Sequence, residues 1–398
     1  MKKFIPSWLN KNIIGFGLAS FFGDISYEMT TALLPAFLSQ LLASASVPQA
    51  LGLVSGISDA IASLVKPVFG WLSDYYKRKP FIVVGYALTG VCVSIIGTAT
   101  NVWQVVLYRT GAWLGKGMRE PARDAFITES VDARYYGRAF GFHRAMDSLG
   151  SIVGPLLVMG GIYYFSIRTI FLLALIPAFF SVLSVVLLVQ EKAHPITAFK
   201  RTSFFLHIKQ LPPRFRSFII IMFIFGCGNF SRTLLILYAQ QTLAGNVIVT
   251  SSIIMGLYAL FNAVRAISEY SIGWFSDIIG RTTMLALLGF GLFAGISLCM
   301  ALGFASWPII VTLFIVLGVS TAAVSALERA CAADLLPPAV RGTGFGTLQT
   351  VDGIGDFVSS ALVGFLWTWV NPFIAFTYAA VMSIIATLLL LLWKSSKN

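Results

Sequence analysis

Long apolar stretches, each interrupted by only a few polar residues, follow one another along the whole chain. They cover 12–41, 48–70, 80–99, 103–122, 138–163, 168–189, 217–241, 248–272, 282–303, 307–327, 343–367 and 371–393. Each is close to the ~20 residues that a helix needs to cross the hydrocarbon core of a bilayer. The pattern therefore predicts twelve spanning α-helices and an all-α membrane protein. Most connections are short. The exception, 191–216, is polar and splits the spans six and six, which predicts bundles over 1–190 and 217–398 joined by a linker.

Composition agrees with this reading. Of 398 residues, 57% are hydrophobic and 11% charged, against about 25% charged in soluble domains. The mean hydropathy is +0.84. A net charge of +12 would point to nucleic acid in a soluble protein. Here its placement matters more, because Lys and Arg collect on the cytoplasmic side of a membrane. The connections near 43–47, 100–102, 242–247, 304–306 and 368–370 carry no Lys or Arg. The alternate set is basic, with Lys77, Arg78 and Lys79, then Arg119, Arg123 and Arg134, then Arg281, Arg329 and Arg341. The alternation predicts a multi-pass inner (plasma) membrane protein with both termini and the 191–216 linker in the cytoplasm. That linker either touches anionic lipid or is a solvated tether. The start, MKKFIPSW, is followed by an apolar run too long for a signal peptide, so a retained first helix is expected. Cys92, Cys227, Cys299 and Cys331 show no paired spacing and read as packing residues.

The chain also repeats itself. GWLSD occupies 70–74 and GWFSD occupies 273–277, 203 residues on. At that offset Arg78 matches Arg281, Arg138 matches Arg341, Gly141 matches Gly344, Phe142 matches Phe345, Gly23 matches Gly226 and Gly150 matches Gly353. Two parallel copies of a six-helix unit fit a transporter with its site at the midplane.

The first copy continues as Gly70-Trp-Leu-Ser-Asp74-Tyr-Tyr-Lys77-Arg78-Lys79. It resembles the Gly-x-x-x-Asp-Arg-x-Gly-Arg signature of the major facilitator superfamily, with Tyr75 and Lys77 replacing the first Arg and second Gly. Gly273-Trp-Phe-Ser-Asp277-Ile-Ile-Gly280-Arg281 stands where that family repeats the motif. Arg109-Thr-Gly-Ala-Trp-Leu-Gly115 resembles the family's arginine-and-glycine motif of the fourth span. Gly150-Ser-Ile-Val-Gly154-Pro155 is similar to the Gly-Pro motif of its antiporter branch, although four residues rather than two precede Gly160-Gly161. The resemblance implies the major facilitator fold, two pseudo-symmetric six-helix bundles. It also implies a cytoplasmic latch holding the outward-facing state, drawn from Gly70, Asp74, Arg78, Glu120, Asp124, Gly273, Asp277 and Arg281. Asp74 is placed to meet a helix N-terminus, where backbone N–H groups favour an anion. Arg78 is expected to pair with Glu120 or Asp124. Gly150, Gly154 and Pro155 are expected to bend the fifth span.

Asp24 and Glu28 lie inside the first apolar run, four apart and so on one helical face. A charge at that depth costs ~2.5–3.5 kcal/mol or more, unless the face is wet or a base lies opposite. Tyr27, Asp59, Arg109, Asp147, Arg232 and Arg265 join them as candidate substrate- or proton-binding residues. The alternative is that the acids only neutralise buried bases and fasten helices together.

Together these features predict alternating-access secondary transport, with proton-coupled efflux of a small amphipathic or charged compound as the leading reading. Import of a metabolite such as an organic anion or siderophore is the alternative. The expected partners are the small-molecule substrate, protons and the lipid bilayer, with no nucleic acid, no cofactor and no metal, in a monomer. No Gly-x-Ser-x-Gly elbow, His-Glu-x-x-His pair or phosphate-binding glycine loop occurs, so an enzyme is not expected.

Overall fold

The structure, a computed structural model, describes residues 8–42, 47–191, 208–230, 232, 234–235, 238–239, 247–304 and 306–395. Most of the linker, 192–207, lies outside the described residues. The first six segments are α1 (Lys11–Leu41), α2 (Val47–Tyr75), α3 (Arg78–Thr98), α4 (Val102–Ser130), α5 (Tyr136–Gly161) and α6 (Ile167–Leu188). The second six are α7 (Pro213–Gly228), α8 (Val247–Ile279), α9 (Arg281–Ala301), α10 (Trp307–Leu335), α11 (Arg341–Trp369) and α12 (Pro372–Ser395). These are the twelve helices that the apolar pattern predicts.

The helices outrun that pattern at their charged ends. The fourth apolar run stops near residue 122, yet α4 continues to Ser130; α2 likewise continues to Tyr75, α8 to Ile279 and α10 to Leu335. Hydropathy ends where charge begins, whereas backbone hydrogen bonding in a helix does not depend on what the side chains face. These overhangs carry Asp74, Glu129 and Asp277.

Outward faces are greasy. In α6 the most apolar window has a mean hydropathy of 2.7 and only 39% of its residues buried. Leu172, Leu175, Ile176, Phe179 and Leu187 are exposed. In water such a face would be a large aggregation-prone patch, and lipid is the solvent that accepts it. The protein is an integral membrane protein.

The chain divides into two compact units. One comprises Met1–Ala133, Met146–Leu211 and Leu336–Thr350; the other comprises Arg134–Ala145, Pro212–Leu335 and Val351–Asn398. Each unit therefore takes the start of one helix, α11 or α5, from the other half of the sequence. The first unit has a core of Ile25, Met29, Leu33 and Phe37 from α1 against Ile96, Val105 and Phe171. The second has an aromatic core in which Phe225 stacks on Phe290 at 4.0 Å, with Phe293 edge-on at 5.8 Å.

Candidate functional site

On α1 the acid pair meets the glycines of α5. A Cβ added at Gly154 would lie 2.9 Å from the Glu28 Cβ and 3.0 Å from the carbonyl oxygen of Ile25. One added at Gly150 would lie 3.0 Å from the Asp24 Cβ and would overlap the carbonyl of Phe21. The two pairs, each spaced by four, thus match turn for turn, as small residues do when backbones approach closely in membranes. Ser151 donates from Oγ to Asp24 Oδ2 at 3.3 Å. Ser20 donates to Asp147 Oδ1 at 2.6 Å. Asp24, Glu28 and Asp147 therefore gather at one seam, all half-buried. Pro155 lies inside α5, which continues past it. Its missing N–H deprives the Ser151 carbonyl of a helical donor, in the turn that faces Asp24.

This seam gives a direct expectation. Gly150→Ala places a methyl group against backbone that cannot retreat, so it destabilises the protein by roughly 1–3 kcal/mol, the usual cost of overpacking. Gly160 has nothing within 4 Å of an added Cβ, so Gly160→Ala leaves stability unchanged. Thermal unfolding of the two variants in detergent makes the comparison, and equal midpoints would remove the seam.

A second cluster joins α1, α2 and α4 in the same unit. Trp113 donates its indole N–H to Asp59 Oδ1. The Arg109 guanidinium stacks 4.1 Å from the Trp113 ring centre, with 6% of the residue exposed. Tyr27 and Trp113 lie 5.2 Å apart, and Lys116 Nζ approaches both rings, at 5.4 and 5.8 Å. Lys116 also lies 3.9 Å from Glu120, which pairs with Lys66 at 3.1 Å. Asp59 itself is exposed.

The other two candidate bases belong to the second unit. Arg265 pairs with Glu269 at 3.0 Å, and Glu269, fully buried, also accepts the Ser325 hydroxyl at 2.9 Å. Arg232 is exposed, its guanidinium 5.6 Å from the Phe261 ring.

The duplicated motifs make two matching helix caps. Asp74 accepts from the backbone N–H of Gly342 at 2.7 Å and of Thr343 at 2.9 Å, and from the Thr343 hydroxyl at 2.8 Å. These are first-turn donors of α11, which have no partner inside their own helix. Asp277 accepts from Gly137 and Arg138, at 3.0 and 3.1 Å, in the first turn of α5. Gly70 lets α2 come against Gly342, because a Cβ at Gly70 would overlap the Gly342 carbonyl; Gly273 faces Gly137 in the same way. Burial pushes the Asp74 carboxyl up to about 6, against the lowering pull of Arg78 and of the Thr343 and Gly342 donors. At neutral pH it remains the anion those donors require. Asp277 is raised by the same cause, opposed mainly by Arg281.

Two expectations change here. Arg78, fully buried, pairs with Asp74 at 3.2 Å and with Glu129 at 2.5 Å, not with Glu120 or Asp124. Glu120 is held by Lys66, and Asp124 by Arg123 at 2.9 Å and Gln349 at 2.8 Å. Glu129 lies nine residues beyond Glu120 on α4, about 13 Å along the axis, at the end where Arg78 sits. The repeat also shifts register. Gly137 and Gly342 face matching atoms, as do Gly141 and Gly346, and Gly150 and Gly355 also touch corresponding helices, α1 and α7. Each pair is 205 residues apart, so α5 and α11 correspond at 205, while the capping motifs correspond at 203. The matches Arg138–Arg341, Gly141–Gly344, Phe142–Phe345 and Gly150–Gly353 are therefore coincidences of residue type. Arg281 follows the motif, bonding Asp277 at 2.9 Å and Asp334 at 2.6 Å.

Sequence reasoning assigned no role to Lys116, Glu129 or Thr343. Lys116 was legible in principle, standing three residues after Trp113 and four before Glu120, spacings that place all three on one face. Thr343 carried no such signal, because only the fold brings it to Asp74.

Comparison with known proteins gives a consistent result. The profile of the Major Facilitator Superfamily matches residues 16–270 and 230–398. An uncharacterized MFS-type transporter of Methanocaldococcus jannaschii is 32% identical over 390 residues, covering 96% of this chain and 95% of its own. The multidrug resistance protein MdtG of Proteus mirabilis is 25% identical over 371 residues, covering 90% and 89%. Among solved structures, the human organic anion transporter MFSD10 superposes with a TM-score of 0.77 at 15% identity, covering 96% and 99%. The Escherichia coli fucose:proton symporter FucP gives 0.75 at 16%, covering 98% and 99%. At such identities the two structures show a shared fold.

Proposed function

Because this chain belongs to the Major Facilitator Superfamily, we propose that it is a proton-coupled secondary transporter that exports a small amphipathic or charged compound from the cytoplasm by alternating access. The observation that carries this reading is the α1–α5 seam, where Asp24, Glu28 and Asp147 gather around Ser20 and Ser151. A carboxylic acid whose surroundings alternate between wet and dry, or between near and distant cations, binds a proton in one state and releases it in the other. Asp24 and Glu28 are the proton carriers in this scheme. The similarity to MdtG, a multidrug resistance protein, supports the outward direction.

The two helix caps supply the conformational control. In this reading Asp74 and Asp277, with Arg78 and Arg281, fasten the cytoplasmic ends of α11 and α5 while the substrate site opens outward. Both termini then lie in the cytoplasm, and a monomer in the plasma membrane suffices.

The test is flux in proteoliposomes with an imposed pH gradient. A panel of organic cations, organic anions and neutral amphiphiles is offered, and each solute is recovered for analysis. Saturable movement of an unaltered solute that collapses with a protonophore is the expected result. Flux indifferent to the gradient would remove the coupling, and chemical change in the solute would remove the transporter.

A further inference from the structure

Arg109 stands apart from the other charged groups buried in the first unit. Arg78, Arg123 and Glu120 each lie against an opposite charge. Arg119 has no such ion pair among the described residues, but it donates to the Thr89 hydroxyl at 2.8 Å and stacks on Tyr86 at 4.1 Å. Arg109 is 94% buried, having 6% of its surface exposed, and its Nε has no hydrogen-bond partner. Among the described residues no carboxylate is within ion-pair distance of it. Its recorded neighbour is the face of Trp113. Asp59, the nearest acid by connectivity, is engaged with the Trp113 indole N–H.

A guanidinium cannot discard its charge by deprotonation. Left buried without an anion it is strongly destabilising. The ring face offers a small compensation, roughly 0.5–2 kcal/mol, and leaves the donors of the planar fork without acceptors. Arg109 lies seven residues into α4, about 10 Å from the helix start, a depth at which hydrocarbon offers no acceptor either.

We infer that Arg109 and Trp113 form a binding subsite for the anionic group of an aromatic or otherwise flat organic anion. The guanidinium takes the carboxylate, sulfonate or phosphate in a forked pair of N–H···O bonds. Trp113 and Tyr27 hold the carbon skeleton. The preference for an anion over its neutral or cationic isostere comes from the empty donors: a neutral group pairs them weakly, and a cation repels them. The subsite narrows the substrate class left open above and rests on the chain being a transporter.

The test needs no gradient. Purified protein in chloride-free buffer is titrated with benzoate, benzenesulfonate and phenyl phosphate, and with benzamide and benzylamine as neutral and cationic isosteres. Binding is read by thermal shift and calorimetry. At least one anion is expected to bind saturably, and neither isostere to match it. Arg109→Gln is expected to lower its affinity by about tenfold or more, and Arg109→Lys, which keeps the charge without the fork, to fall between. The lysine variant decides the matter should the glutamine variant fail to fold. Equal binding of benzamide or benzylamine would overturn the inference, as would an affinity indifferent to both variants. The absence of any anion-dependent shift, or an equal shift from chloride alone, would do the same. Because no proton flux enters this assay, its failure leaves the coupling scheme standing, and loss of coupling alone leaves the anion subsite standing.

Discussion

Asp24→Asn stops gradient-driven transport while the protein still folds and still exchanges substrate between equal pools. Asparagine matches aspartate in shape and keeps an oxygen that accepts the Ser151 hydroxyl, so the α1–α5 seam remains packed. Only titration is lost. A carrier locked in one protonation state can still reorient with substrate, but a proton gradient can no longer drive it uphill. Accumulation falls to the level of liposomes without protein, and counterflow persists. Measuring both in the same vesicles separates a coupling defect from a folding defect. Proton-driven accumulation at the wild-type rate would take Asp24 out of the proton path and shift attention to Glu28 and Asp147.

Asp74→Ala biases the protein toward inward-facing states. The substitution removes the acceptor for two first-turn N–H groups of α11 and for the Thr343 hydroxyl. It also takes from the buried Arg78 one of its two carboxylates, leaving Glu129. Loss of a helix cap costs about 0.5–2 kcal/mol, and each ~1.4 kcal/mol is a tenfold change in population. The cap alone is therefore enough to move a balanced equilibrium by up to roughly thirtyfold. Introduced cysteines, in a background without Cys92, Cys227, Cys299 and Cys331, report the shift as faster labelling from the cytoplasmic side and slower labelling from outside. Asp277→Ala acts in the same direction through α5. Labelling rates that match the parent on both sides would contradict the latch.

What could be read from the sequence follows from which rules act locally. The bilayer demands about 20 apolar residues per crossing, so the twelve helices are written in the hydropathy. The acid pair and the glycine pair were each visible as i, i+4 spacings. That they face each other was not, because this depends on how α5 packs across α1. Arg78 shows the same limit. Its need for an anion was clear, but the choice between Glu120 and Glu129 turned on helix length, and α4 extends past the point where hydropathy ends it. The repeat register failed in one helix only, where glycine is so common along α5 and α11 that identities recur at 203 as well as at 205. Arg109 was legible as a functional candidate from its motif. Its lack of a partner carboxylate became visible only once Asp59 was seen committed to Trp113.

Linkage of substrate to protons at the α1 acids is tested most directly by calorimetry of substrate binding at one pH in buffers of different ionisation enthalpy, using the compound transported fastest. The slope of observed enthalpy against buffer enthalpy counts protons exchanged. A non-zero slope for the parent protein that vanishes in Asp24→Asn is the predicted result. A slope of zero in the parent, or an unchanged slope in the variant, would contradict it.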